Sequence, residues 1–297
     1  MTRTTNGTTS DATSGTGIGA APAARRTMSD FDIELRLLLE AIYLKYQHDF
    51  RHYSLPSLRR RLEQARQDFG VATLSQLQDR VLRSGEDFSR LFGYMTVQVS
   101  DMFRDPEYFL ALRHHVLPLL RTYPSLKVWV AGCSTGEELW SLKILFEEEG
   151  LAERTLFYAT DISPEALERA ESGIYPVDRF AGFSQNYLAA GGRRTLSDYY
   201  HAAYGGARLS ATLKERVVFA DHSLATDEVF LEAHLVSCRN VLIYFDRPLQ
   251  DRSIRLFEHA LVRRGFLGLG SKENLRFSRH HDAFDEFCAA ERIYRKC

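Results

Sequence analysis

The sequence has no apolar run approaching the ~20 residues of a membrane-spanning helix. Nothing near its start resembles the hydrophobic core of a secretory leader. Membrane insertion and export are therefore not expected, and the cytoplasm is the expected compartment. There are four cysteines, Cys133, Cys238, Cys288 and Cys297, with no C-x-x-C pair. Free thiols fit that spacing better than a disulfide framework. No His/Cys cluster has zinc-ligand spacing, so no metal is expected. The net charge is −1, which gives no global field towards nucleic acid or a membrane surface. Two glycine signatures are also missing. Without G-x-G-x-x-G a dinucleotide reading weakens, and without G-x-x-x-x-G-K-[ST] a P-loop is disfavoured. No His or Cys dyad suggests nucleophilic catalysis.

What is present is a chain of 297 residues, 44% apolar and 26% charged. That is enough for one large globular domain and a small one. The chain is organised around Val128 to Glu138, which reads V-W-V-A-G-C-S-T-G-E-E. An apolar strand from Leu126 runs into a loop holding Gly132 and Gly136, and the loop opens a helix from Glu137 to about Glu149. Such a turn brings backbone N–H groups close to a ligand beside a helix N-terminus. Taken alone, the stretch also fits an ordinary strand-to-helix turn.

Ahead of it, residues 1 to 28 are rich in Thr, Ser, Gly and Ala, and read as a disordered tail. Ser29 and Asp32 form a helix-start signature. Phe31, Leu35, Leu38, Ile42 and Tyr46 follow at helical spacing. Three more helices are marked by Leu58 to Phe69, Leu74 to Val81 and Phe88 to Met95, giving a small all-α domain over residues 30–97. The second helix carries Arg59, Arg60, Arg61 and Arg66, with only Glu63 offsetting them locally. This is either a solvated face or a dock for an acidic partner. Residues 98–125 form a linker that holds Arg104 and continues as a helix through Phe109, Leu112, Val116 and Leu119.

From Leu126 to the end, residues 126–297, strands and helices alternate. Leu156 to Thr160 is a second strand ending at Asp161, where a carboxylate suits a ribose diol or caps the helix from Pro164 to Ser172. Residues of about 175–216 break the pattern. A short helix near Gln185 to Ala190 and an antiparallel excursion from Tyr199 to Arg216 are expected there. Further strands are Val217 to Ala220, Leu235 to Cys238, Phe266 to Gly270 and Arg292 to Arg295, with a helix from Pro248 to Val262. The fold expected is α/β, a mostly parallel sheet covered on both faces. Arg239 and Asn240 lie just past a strand end, so they share one crevice with the Gly132 loop, and Arg104 enters from the linker.

Several motifs now stand in order: L-L-E-A-I-Y, S-L-R-R-R-L, A-G-C-S-T-G-E-E, T-D-I-S, S-G-I-Y, C-R-N-V-L-I-Y-F and G-S-K-E-N. Together they resemble the CheR-type chemoreceptor glutamate O-methyltransferases over roughly residues 30 to 297. The resemblance implies a class I (Rossmann-like) methyltransferase sheet with a small antiparallel β-subdomain behind an N-terminal all-α domain. It implies S-adenosyl-L-methionine as cofactor, S-adenosyl-L-homocysteine as product, and glutamates of chemoreceptor cytoplasmic helices as acceptors. It implies cofactor contacts at Gln98, Ser100, Arg104, Ala131, Gly132, Glu138, Asp161, Ser223, Leu224, Arg239 and Asn240. The family usually has Asn and Thr at positions 98 and 100, and Asn at 223. It often has Pro-Tyr where this chain has Leu139-Trp140, and Ser-Glu where this chain has Ser271-Lys272-Glu273. The changes at Ser223, Trp140 and Lys272 leave room for a protein that binds the cofactor with little turnover, and a methyltransferase for an acidic protein that is not a receptor is a further reading.

Methyl transfer to a glutamate needs no general base, because the carboxylate titrates near ~4.3 and is ionised at neutral pH. Alignment and exclusion of water are what the protein must supply. Arg104 is the expected carboxylate-orienting group, with a surface pair to Asp101 or Asp105 as its alternative role. Tyr244 is the expected wall and donor near the methyl, or else a core aromatic. Cys133 and Cys238 flank the site as small filler or as regulatory thiols.

Overall fold

The structure, a computed structural model, describes residues 28–297. The expected disordered tail falls almost wholly outside them. Helix α1 (Asp30–Tyr46) starts where Ser29 accepts the Asp32 N–H. Helices α2 (Leu55–Asp68), α3 (Leu74–Arg83) and α4 (Gly85–Met95) follow. Thr73 and Ser84 cap the last two in the same way, satisfying N–H groups that a helix start leaves free. Their apolar stripes close on Leu38, Ile42, Leu62, Leu77, Val81 and Leu91, all fully buried, so the four helices share one core.

The linker leads into α5 (Pro106–Ala111), a π-helical turn (Leu112–Val116) and α6 (Leu117–Leu120). The spacing predicted a continuous helix here. Pro118 has no N–H to give to the preceding turn, and the wider turn just before it absorbs the break.

The second part alternates as β1 (Leu126–Ala131), α7 (Glu137–Glu148), β2 (Thr155–Asp161), α8 (Pro164–Ser172), β3 (Ile174–Pro176), α9 (Phe180–Ala189), β4 (Tyr200–Ala203), β5 (Gly206–Leu209), α10 (Ala211–Lys214), β6 (Val217–Asp221), β7 (Ala233–Cys238), α11 (Arg247–Ala260), β8 (Leu261–Leu269), β9 (Phe284–Cys288) and β10 (Ile293–Lys296). Seven strands form one sheet in the order β6-β2-β1-β7-β8-β10-β9, and β3, β5 and β4 form a small antiparallel sheet. In the large sheet β10 alone runs against the direction of the other six strands. Alternate residues of β1 enter opposite cores: Val128 and Val130 on one face, Trp129 and Ala131 on the other.

Three expectations change. Helix α9 begins at Phe180, earlier than expected, because Gly182 does not interrupt it. Strand β8 starts directly at the end of α11, five residues early. An irregular stretch with Arg264 at φ 65° lies in the gap between the expected helix and the expected strand. Strand β9 was not foreseen. It is an outer strand carrying Asp285 and Glu286, and charge on an edge hides the apolar alternation.

Strand order reverses between β1 and β7, which opens a crevice at their C-terminal ends. The helical part leans over that crevice. Tyr53 packs edge-on against Phe245, with ring centres 5.0 Å apart. The Ser54 N–H donates to the Tyr244 carbonyl at 2.7 Å, and the Asp246 N–H to the His52 carbonyl at 2.8 Å.

Candidate active site

The loop after β1 is shaped by two glycines. Gly132 has φ 70°, and a Cβ there would fall 2.6 Å from Val241. Gly136 has φ 92° and lies against Ala170. Both the conformation and the space require glycine. The loop then turns so that the Ser134 N–H donates to Asp161 Oδ2 at 2.8 Å, while the Ser163 N–H donates to Oδ1 at 3.0 Å. Asp161 therefore both anchors the loop and stands at the start of α8. Burial without a neighbouring cation raises its carboxyl above the ordinary range.

One cleft, open to solvent on one side, gathers most of the expected residues. Gln98, Ser100, Arg104, Gly132, Glu138, Asp161, Leu224, Arg239, Asn240 and Tyr244 all line it. Ala131 does not; its side chain is buried in the core with Trp129. Ser223 does not either. Its N–H donates to Asp227 Oδ2 at 2.9 Å and its hydroxyl accepts the Ala225 N–H at 3.3 Å, so it closes its own loop.

Two arginines of the cleft differ sharply. Arg239 is fully buried and committed. It pairs with Asp105 at 2.8 Å and Glu138 at 3.2 Å, donates to the Arg104 carbonyl at 3.0 Å, and lies over the Tyr108 ring at 4.1 Å. Glu138 also accepts the Ser237 hydroxyl at 2.7 Å. Arg104 instead reaches only the Val99 carbonyl, at 3.5 Å. Its alternative acids are taken: Asp101 pairs with Arg179 at 2.9 Å, and Asp105 with Arg239. The backbone on either side is strained, with Phe103 at φ 53° and Asp105 at φ 54°. The linker is bent to present a guanidinium that has no acid partner among the described residues.

The basic face of α2 is smaller than the sequence suggested. Arg61 turns inward to line the cleft, donates to the Met95 and Ser57 carbonyls, and lies 5.7 Å from the Tyr244 ring centre. Burial lowers its pKa. Arg59 pairs with Asp32 at 2.9 Å and Arg66 with Glu63 at 2.6 Å. Arg60 is exposed and has no ion pair among the described residues. The helix period explains the inward turn, because position 61 lies next to the buried stripe at Leu58, Leu62 and Ala65.

The departures at Trp140 and Lys272 lie away from the cleft. Trp140 is wholly buried beside Phe219, and Lys272 is exposed. The residue after Lys272 matters more. Buried Glu273 accepts N–H bonds from Asn240 at 3.0 Å, Ile243 at 3.2 Å and Gly270 at 2.7 Å, and so holds the Asn240 turn, whose φ is 61°. Burial raises the pKa of its carboxyl. Burial also holds the Cys133 and Cys238 thiols well above their ordinary values, so both are protonated filler and not reactive thiolates.

Sequence reasoning missed Tyr53, Ile162 and His222 as cleft residues. Ile162 and His222 could have been found, since each directly follows the last residue of a parallel strand. Tyr53 had no local signal, because it arrives from the other domain.

Comparison with known proteins bears on this geometry. The family profile described as "CheR methyltransferase, SAM binding domain" matches residues 98–292, and "CheR methyltransferase, all-alpha domain" matches residues 33–96. A Pseudomonas putida protein named as a Cher3 methyltransferase is 56% identical over 89% of this chain and 97% of its own length. The chemotaxis protein methyltransferase of Salmonella typhimurium is 30% identical over 70% of this chain and 70% of its own. That of Listeria monocytogenes is 31% identical over 61% and 67%. With its all-α domain, its Rossmann-like sheet and its cleft at the strand ends, the chain belongs to the CheR methyltransferase family and is an S-adenosylmethionine-dependent methyltransferase.

Proposed function

We propose that the enzyme methylates glutamate side chains on the cytoplasmic helices of a chemoreceptor, giving glutamyl methyl esters and S-adenosylhomocysteine. The relatives from Listeria monocytogenes and Salmonella typhimurium bear the name chemotaxis protein methyltransferase. The observation that carries the reading is Arg104, a guanidinium at the cleft whose sequence neighbours Asp101 and Asp105 are engaged elsewhere. A carboxylate is the group that would complete it.

The cleft residues suit the cofactor. Gly132 lets the loop backbone approach a ligand where a side chain would collide with Val241. Asp161, fixed by backbone N–H groups, has lone pairs left for ribose hydroxyls. Glu138 is an acid suited to the ammonium of the methionine tail, with Gln98, Ser100 and Asn240 as flanking polar groups. Ile162 and Leu224 offer apolar walls for the base, and Ala131 and Ser223 contribute main chain only. The bound cofactor supplies a methyl group on a sulfonium, which leaves as a neutral thioether.

The protein's own part is placement. The acceptor glutamate is already ionised at neutral pH, so no residue has to remove a proton. Arg104 orients its carboxylate, and Tyr244 walls the site with its hydroxyl available as a donor. Tyr53 and Phe245 seal the seam against water. Holding the two reactants in line is worth up to roughly 7–11 kcal/mol. Arg59 and Arg60, on the outer side of α2, steer an acidic helix towards the cleft, and the receptor's cytoplasmic helices place the reaction in the cytoplasm.

The test is methyl incorporation from radiolabelled cofactor into a receptor fragment. A base-labile ester on glutamate is the expected product. Labelling of some other acidic protein, with none on any receptor, overturns the substrate. Of the departures at Ser223, Trp140 and Lys272 that suggested a binding-only protein, only Ser223 adjoins the cleft, through its neighbours His222 and Leu224.

A further inference from the structure

His222 follows the last residue of β6 and lines the cleft, as Leu224 and Asp161 do. It is 7% exposed. Its ring packs edge-on against Trp129, with centres 5.2 Å apart, and tilted against Phe230 at 5.0 Å. Nε2 lies 3.2 Å from the Glu228 carbonyl. A carbonyl can only accept, so Nε2 carries the proton and Nδ1 is left with a lone pair. That Nδ1 is buried and has no partner among the described residues. An orphaned buried acceptor is costly, and a ligand that brings a donor removes the cost. The neighbouring Ser223 offers no substitute, since its hydroxyl and N–H both serve its own loop.

We propose that His222 reads the base of the cofactor, with Nδ1 accepting a hydrogen bond from the exocyclic amine of adenine. The inference rests on the assignment of S-adenosylmethionine to this cleft, not on the identity of the methyl acceptor. Adenine is a donor at that position, whereas hypoxanthine presents a carbonyl and would face the imidazole lone pair with its own. A site built around such a hydrogen bond discriminates strongly against the analogue that cannot make it.

The experiment compares S-adenosylhomocysteine with S-inosylhomocysteine by calorimetry on the full chain. The wild type should bind the adenosine compound at least about tenfold more tightly. In His222→Phe, which keeps an aromatic ring against Trp129 and Phe230, that ratio should fall to near one. Melting temperature and circular dichroism report whether the variant folds. A measurement independent of the variant is nitrogen-15 NMR of histidine-labelled wild type. The Nδ1 resonance should shift towards the hydrogen-bonded position with S-adenosylhomocysteine and not with the inosine analogue. The proposal is overturned if wild type binds both compounds equally, if a folded His222→Phe keeps the full preference, or if Nδ1 is unmoved by S-adenosylhomocysteine. Failure of the acceptor assignment would show instead as receptor fragments left unlabelled while this preference stands.

Discussion

The floor and the wall of the cleft are built differently. On the floor, at the strand ends, each charged group is held by several others: Asp161 by backbone N–H groups, Glu138 by Ser237 and Arg239, Arg239 by two acids and a carbonyl. On the wall, formed by the linker and α2, Arg104 has one long contact and Arg61 has carbonyls alone. A floor whose charged groups hold one another in place is pre-organised for a ligand that is the same in every turnover. A wall with unpaired cations is completed by something that comes and goes. The difference separates cofactor from acceptor more clearly than any single residue does.

The largest effect should come from breaking the floor. Replacing Arg239 with alanine leaves Asp105 and Glu138 without their buried counter-ion. The loss of folding stability should be about 3–5 kcal/mol, read by urea denaturation. A loss below about 1 kcal/mol would mean that the floor is not locked by this cluster. Arg104→Ala tests the wall. The denaturation midpoint should stay in place while methyl transfer falls by about 1.5–3 kcal/mol of transition-state free energy, on the order of ten- to a hundredfold in kcat/KM. A fall in stability with unchanged transfer would reverse the roles assigned to the two arginines.

A gentler probe is pH. Asp161 must be ionised to accept ribose hydroxyls, and burial holds its pKa above the ordinary 3.8. Protonation removes acceptor capacity, so affinity for S-adenosylhomocysteine should fall as pH drops through that raised pKa. The fall should begin at a higher pH than an exposed aspartate would give. Asp161→Asn should bind more weakly and lose this dependence, and an unchanged profile would exclude Asp161 as the titrating group. The smallest effect belongs to Lys272→Ala. Lys272 is exposed and outside the cleft, so melting temperature and turnover should both match wild type. A change in turnover would return Lys272 to the site.

Much of this was legible in the residues. Helical spacing from Phe31 to Met95 marked the four helices, because their apolar stripes follow the 3.6-residue period. The strand-to-helix turn at Gly132 and the acid at Asp161 marked the crevice, because parallel strands deliver their ligand groups at their ends. What was illegible depended on distant partners. Nothing near Arg239 in the sequence shows that Asp105 and Glu138 will occupy it, nor that this leaves Arg104 unpaired. Arg61 looked like one of four equivalent surface arginines until packing chose it. Glu273 looked like part of a departure from a motif, although its carboxylate holds the Asn240 turn. Strand β9 was concealed by the edge charges that suit its position.

The Arg239–Asp105 pair spans 134 positions of the chain. A ribosome makes the Gly132 loop and Asp161 long before it makes the residue that joins linker to strand end. Contacts of such separation close late in folding. A growing chain that has emerged only as far as β6 therefore has the loop but not the clamp, and it cannot yet hold the cofactor in a finished site. Competence for methyl transfer arrives late in synthesis, once β7 and the turn at Arg239 have joined the sheet.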